Sequence, residues 1–146
     1  MSRVQRRNGF TLIELMIVIT IIAILAGILV PNFLKARSQG HLVACKSNCK
    51  NIATSLELYA ADNLGHYPPS GAFGSQLISG SYLKTIPNCP SAGRDTYSVA
   101  YTSTMAPDGF SFYCNGNNHP KAYTGFSTAS AGFPQYNGES GLLDHP

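Results

Sequence analysis

Residues 15–34, LMIVITIIAILAGILVPNFL, contain no charged side chain. Twenty such residues form a helix of about 30 Å, the thickness of the hydrocarbon layer of a bilayer. That run divides the chain unevenly. From residue 64 onward lie 11 of the 14 glycines and 8 of the 9 prolines, so an apolar rod precedes a loop-rich head. A length of 146 residues leaves room for one domain and an accessory segment. One carboxylate, Glu14, stands at the edge of the apolar run, close behind an Arg-Arg-Asn-Gly step.

The net charge of +3 comes from the first residues, because Arg3, Arg6 and Arg7 precede Phe10 and the remainder has seven basic and seven acidic side chains. No nucleic-acid partner is expected from so balanced a surface. An Arg-rich leader on one side of the apolar run predicts an N-terminus in the cytoplasm and a head on the far side of the membrane. A secretory signal peptide has its small-residue cleavage site after the apolar region. Here Gly9 stands before it, so a cut at Gly9–Phe10 removes only a basic leader, residues 1–9, and leaves the helix in place. The plainer reading is an uncleaved single-pass anchor.

Helical character continues beyond the span. In residues 35–64, Leu42, Cys45, Cys49, Ile52, Leu56 and Tyr59 are spaced by alternating threes and fours, which draws one stripe along a helix. A helix over residues 10–64 is about 80 Å long. Pro31 is expected to bend it, since helix-forming sequence lies on both sides. The stripe suits packing on the chain's own head, with a coiled coil as the alternative.

The head, residues 65–146, reads as short strands and turns, which makes the fold class α+β. A helical turn is expected within residues 74–87, with Leu77, Ile78, Leu83 and Ile86 turned inward. YSVAYTST (97–104) and FSFYCNG (110–116) alternate as strands joined at Pro107-Asp108-Gly109, an antiparallel hairpin. A further strand is expected near residues 133–136. A head of this size gains from a covalent or metal staple, and four cysteines are present. In an exported head the favoured pairing is Cys89–Cys114 with Cys45–Cys49, the latter i,i+4 neighbours at about 6 Å in Cα separation. A crossed pairing remains open. Zinc held by four cysteines is the metal alternative, although C-x₃-C on a helix does not match a zinc-ribbon knuckle. No metal or cofactor is assigned.

The stretch RRNGFTLIELMIVITIIAILAGILVPNF resembles the N-terminus of type IV prepilins and pseudopilins, the subunits of type IV pili and type II secretion pseudopili. The resemblance covers residues 3–40, about a quarter of the chain. It implies cleavage between Gly9 and Phe10 by a prepilin peptidase, followed by methylation of the new Phe10 amine. It also implies that Glu14 meets the N-terminal amine of a neighbouring subunit, and that Pro31 bends the helix. The implied fold is a long N-terminal helix, transmembrane over residues 10–34 and amphipathic over 35–64, on a small antiparallel sheet. Implied partners are copies of the chain or related subunits in a helical filament, the peptidase, an inner-membrane assembly platform and the lipid bilayer. The acidic calcium loop of the major pseudopilin is not recognisable, since Asp95, Asp108, Glu139 and Asp144 are scattered, and calcium is not expected.

Physical chemistry gives Glu14 a role of its own. A carboxylate inside a membrane costs a few kcal/mol and is by default paired or functional. Cleavage creates a free amine on the same helix, and opposite charges attract strongly where the dielectric is low. Catalysis is not expected: His41, His66, His119 and His145 are far apart in sequence, with no hydrolase or phosphate-loop motif. An anchored binding module that uses Tyr123, Phe133 and Tyr136 as contacts is the competing function.

Overall fold

The computed structural model describes residues 9–106, 108–120, 122 and 132–143. Helix α1 spans Leu12–Asp62 and contains Pro31. Backbone contacts divide the chain into two compact units, 1–34 and 35–146.

In the first unit every large apolar side chain from Phe10 to Leu34 is exposed. Its few polar groups are satisfied within the helix. The Thr20 hydroxyl donates to the Met16 carbonyl at 2.7 Å and Asn32 Nδ2 donates to the Ile28 carbonyl at 3.2 Å. Such back-bonding lets a polar side chain sit in an apolar helix without seeking water. Pro31 has no N–H for the Gly27 carbonyl, yet α1 continues beyond it.

In the second unit the stripe read from the sequence becomes the buried face of α1, with Leu42, Cys45, Cys49, Ile52, Ala53, Leu56 and Ala60 all buried and Tyr59 half-buried. The helix ends where Leu64 and Gly65 take positive φ, and the Gly65 N–H turns back to the Ala60 carbonyl at 2.8 Å. That closure satisfies a carbonyl left over at the terminus. A short helix, α2 (Phe73–Ser79), buries Phe73 and Leu77. Leu83 and Ile86 pack partly against the core as expected, but Ile78 lies on the outer side of α2 and is 45% exposed.

Four strands follow: β1 (Thr102–Met105), β2 (Asp108–Tyr113), β3 (Gln135–Asn137) and β4 (Gly141–Leu143). They form one antiparallel sheet in the order β1-β2-β3-β4. This is the α+β arrangement expected, a long helix on a small antiparallel sheet. The β1–β2 hairpin is present with Thr102 opposite Ser111 and Met105 opposite Asp108; Pro107 of the expected turn lies outside the described residues. Asp108 and Gly109 belong to β2 rather than to the turn. The strand expected near 133–136 is β3, and β4 is an addition that the short apolar pair Leu142-Leu143 did not signal.

The first expected strand, 97–104, is realised only in its second half. Ser98–Ala100 is a 3₁₀ turn, because Asp95 Oδ1 accepts the backbone N–H groups of Tyr97 and Ser98 at 2.8 and 3.1 Å. A carboxylate in that position competes with extended structure for the backbone donors. Tyr97 and Tyr101 are buried all the same, one turn apart, while Val99 is 74% exposed.

The core lies between α1, α2 and the sheet, and its wide elements are aromatic. Phe73 stacks on Tyr101 at 4.6 Å, and Tyr97 meets Phe112 edge-on at 6.5 Å. Phe110 and Phe112 both face Tyr136 at 6.0 Å. Polar ties fix the surrounding loops: the buried Ser55 hydroxyl lies 3.1 Å from the Tyr82 carbonyl, and the Tyr101 and Ser103 hydroxyls each donate to the Pro68 carbonyl at 2.8 Å.

Two stability outcomes follow from this packing. Phe112→Ala should cost about 3–5 kcal/mol, read as an earlier loss of the near-ultraviolet tyrosine signal in denaturant, whereas Val99→Ala should stay within about 0.5 kcal/mol. Asp95→Ala removes the acceptor for two backbone donors and should cost about 0.5–2 kcal/mol in the same measurement.

Candidate functional site

Two places in the chain gather chemistry. The first is the start of α1. Gly9 and Phe10 lie outside the helix and are exposed, Phe10 at 72%. Thr11 caps the helix together with Glu14. The Thr11 N–H and the Thr11 hydroxyl both donate to Glu14 Oε2, at 2.8 and 2.6 Å, and the Glu14 N–H points back to Thr11 Oγ1 at 3.3 Å. This is a reciprocal capping box, which satisfies donors that a helix N-terminus otherwise leaves bare. The sequence carries the signal as Thr-x-x-Glu before an apolar run. Glu14 therefore has a structural partner within its own chain, and the peptide bond at Gly9–Phe10 stands free of the helix just ahead of it. The rest of the basic leader, residues 1–8 with Arg3, Arg6 and Arg7, lies outside the described residues.

The second place is inside the head, where all four cysteines are buried and free. The expected Cys89–Cys114 and Cys45–Cys49 bonds are not formed. Cys45 and Cys49 do sit on the same face of α1, but Cys45 is drawn to groups from elsewhere in the fold. One ligand atom each from Cys45, Cys89, Cys114 and His119 lies within 4.8 Å of all the others. His119 Nε2 is 3.5 Å from Cys89 Sγ and 3.8 Å from Cys114 Sγ. Four segments converge there: α1 with Cys45, the turn 88–94 with Cys89, the residue just after β2 with Cys114, and the loop that follows with His119.

Each member is held in turn. The Tyr97 hydroxyl is 3.1 Å from Cys45 Sγ, and Thr96 Oγ1 is 3.2 Å from Cys114 Sγ. Asn118 Nδ2 donates to Cys114 Sγ at 3.3 Å. On the far side of the imidazole, Ser91 Oγ is 3.1 Å from His119 Nδ1. The Cys89 turn closes with the Cys89 N–H on the Arg94 carbonyl at 2.9 Å and the Gly93 N–H on the Cys89 carbonyl at 2.8 Å. Gly93 has φ +68°, a conformation glycine takes at no steric cost. Hydrogen bonds from Cys114 and Cys45 hold the Cys89 thiol well below its ordinary range. Burial works against charge on His119, but hydrogen bonds to Cys114 and Cys89 outweigh it and raise its pKa to about 9.

His119 was passed over in the sequence as one of four scattered histidines. It is 2% exposed, and its signal was the spacing from Cys114 together with a second Cys in a Pro-Ser-Ala-Gly turn. The scattered acids stay apart among the described residues: Asp95 caps the 3₁₀ turn, and Asp108 pairs with His66 at 3.1 Å. The aromatic contacts of the binding-module reading are turned inward. Tyr136 packs on Phe110 and Phe112, and Phe133 on Leu42 and Ala122. Tyr123 lies outside the described residues.

Comparison with known proteins bears on the first place. Residues 4–30 match the prokaryotic N-terminal methylation motif. The chain is 43% identical over 93 residues to the type IV wide pilus major component PilA4 of Thermus thermophilus, covering 64% of this chain and 71% of that protein. It is 40% identical over 74 residues to the type II secretion system core protein G of Pseudomonas aeruginosa, covering 51% of each, so the match spans about half the length of that relative. It is 45% identical over 62 residues to the type IV major pilin protein PilA of Myxococcus xanthus, covering 42% of this chain and 28% of that one. No solved structure matches. With the motif at its N-terminus and the long helix on a four-stranded sheet, the chain belongs to the type IV pilin and pseudopilin family.

Proposed function

We propose that the chain is a structural subunit of a type IV filament, a pilus or a type II secretion pseudopilus, and that it acts through its N-terminal helix rather than through catalysis. The observation that carries this reading is the methylation motif over residues 4–30, which overlaps the exposed, non-helical Gly9–Phe10 bond. A prepilin peptidase cuts there, the leader departs, and the amine of Phe10 is methylated. The helix window of mean hydropathy 2.9 with none of its residues buried is long and apolar enough to cross a bilayer. So large an exposed apolar surface needs lipid or neighbouring subunits around it. In the membrane it is an anchor with the N-terminus in the cytoplasm and the head outside. In the filament the same surface packs against copies of the chain or related subunits, with an inner-membrane platform driving the transfer and Pro31 as the bend point.

Glu14 sets the register. Its carboxylate accepts two hydrogen bonds from Thr11, and a carboxylate has further lone pairs for the amine of a neighbour. Low dielectric makes that pairing strong and penalises a subunit that docks out of step. An anchor that never polymerises requires neither the processing motif nor an acid at this depth, which disfavours the binding-module reading.

Two measurements test the proposal. The intact mass of the membrane-extracted protein should lack residues 1–9 and carry one added methyl group; an unprocessed N-terminus overturns it. Glu14→Gln keeps a side chain able to close the capping box but removes the charge. Filaments imaged on cells should be lost in Glu14→Gln while membrane levels of the subunit stay unchanged. In Thr11→Ala, where the cap is weakened by about 1 kcal/mol and the charge is kept, filaments should persist. Normal filaments from Glu14→Gln would remove the charge-pairing mechanism and leave Glu14 as a helix cap.

A further inference from the structure

His119 is buried, and its Nε2 faces two sulfurs, Cys89 and Cys114. A disulfide core has no use for an imidazole aimed at its sulfurs. Four soft or borderline donors converging from four segments do have a common physical purpose, since they match a closed tetrahedral metal site.

The dimensions agree. With metal–sulfur bonds of about 2.3 Å and metal–nitrogen bonds of about 2.0 Å, tetrahedral geometry places sulfur and nitrogen about 3.5 Å apart and two sulfurs about 3.8 Å apart. The observed sulfur–nitrogen separations are 3.5 and 3.8 Å, and every pair in the cluster lies within 4.8 Å. Closure on an ion therefore requires shifts of about 1 Å or less in side chains already on the correct sides.

The surroundings agree as well. Ser91 Oγ lies 3.1 Å from His119 Nδ1, in place to accept the Nδ1 proton when Nε2 serves as a ligand. An outer partner of this kind orients a metal-bound imidazole. Tyr97, Thr96 and Asn118 surround the sulfurs with hydroxyl and amide groups that stabilise thiolate charge. Cys49, equally buried, is not in the group, so the site draws three sulfurs and one nitrogen from four cysteines.

We propose that Cys45, Cys89, Cys114 and His119 bind a zinc ion through three thiolates and His119 Nε2, as a structural site that ties α1 to the sheet. Binding releases to solvent the protons still held by the thiols and by His119 Nε2, and it requires no oxidant. All four coordination positions are filled by protein, so the ion is a staple and has no open position for catalysis. On the sequence alone no metal is assigned and zinc is weighed only on four cysteines; the proposed site takes His119 in place of Cys49.

The test uses the full-length protein extracted in detergent without chelator. Metal analysis should find one zinc ion per chain, and intact mass should show four reduced cysteines once zinc is removed. Exchange with cobalt should give the visible bands of a tetrahedral site with sulfur ligands. Cys49→Ser should keep the zinc and the cobalt bands. Ser91→Ala should weaken zinc binding about 10–100-fold, and Cys114→Ser should lose it. His119→Cys should retain zinc with cobalt bands shifted toward a four-sulfur site, a rescue that misfolding would not produce. The proposal is overturned if the protein is metal-free and lighter by the hydrogens of one or two disulfides. It is equally overturned if zinc survives both Cys114→Ser and His119→Ala, or if Cys49→Ser abolishes binding while His119→Ala does not.

Discussion

One face of a helix, from Leu42 to Ala60, has to be taken out of water, and the head is built as the cover for it. The sheet presents Phe110 and Phe112 to that face, α2 adds Phe73 and Leu77, and the 3₁₀ turn swings Tyr97 and Tyr101 into the remaining space. Each of these elements is too short to be stable alone. Their stability is borrowed from the helix, which supplies a continuous apolar surface on which strands of three to six residues can settle. The same dependence explains the polar ties at the rim: Ser55 to Tyr82 and Asn48 to Asn88 fasten loops that have little apolar surface of their own.

The two units of the chain meet opposite demands with one helix. In residues 15–34 its side chains are apolar on every side, apart from the hydroxyl and amide groups of Thr20 and Asn32, which are returned to the helix's own carbonyls. Beyond residue 35 the buried apolar positions narrow to a stripe, and polar and charged side chains take most of the rest. A uniform surface suits lipid or a ring of identical neighbours, in which no direction is privileged. A stripe suits a single partner fixed in place.

Much of this was readable in the amino-acid order. The steps of three and four from Leu42 to Tyr59 identified the buried face because a helix has only one way to bring those positions together. Phe110 and Phe112 identified a strand by alternation, and the hairpin followed. What escaped were interactions that depend on a neighbour remote in sequence or on one side chain out-competing a pattern. Tyr97, Val99 and Tyr101 alternate as a strand does, yet Asp95 claims the two backbone donors that a strand would need. Cys45 and Cys49 are adjacent on the helix, and local spacing suggested they belonged together, whereas folding brings Cys89, Cys114 and His119 to Cys45 alone. Glu14 is legible as an acid in an apolar setting, and its bond to Thr11 as a Thr-x-x-Glu capping box.

That bond changes the energetics of anything that approaches the end of the helix. A carboxylate already holding two hydrogen bonds is not an empty socket, so a cation arriving at Glu14 shares or displaces donors that are in place. The gain is then counted from a hydrogen-bonded carboxylate rather than from a bare one. The charge at the head of the helix is thus never without hydrogen-bond donors, because its own first turn supplies two of them.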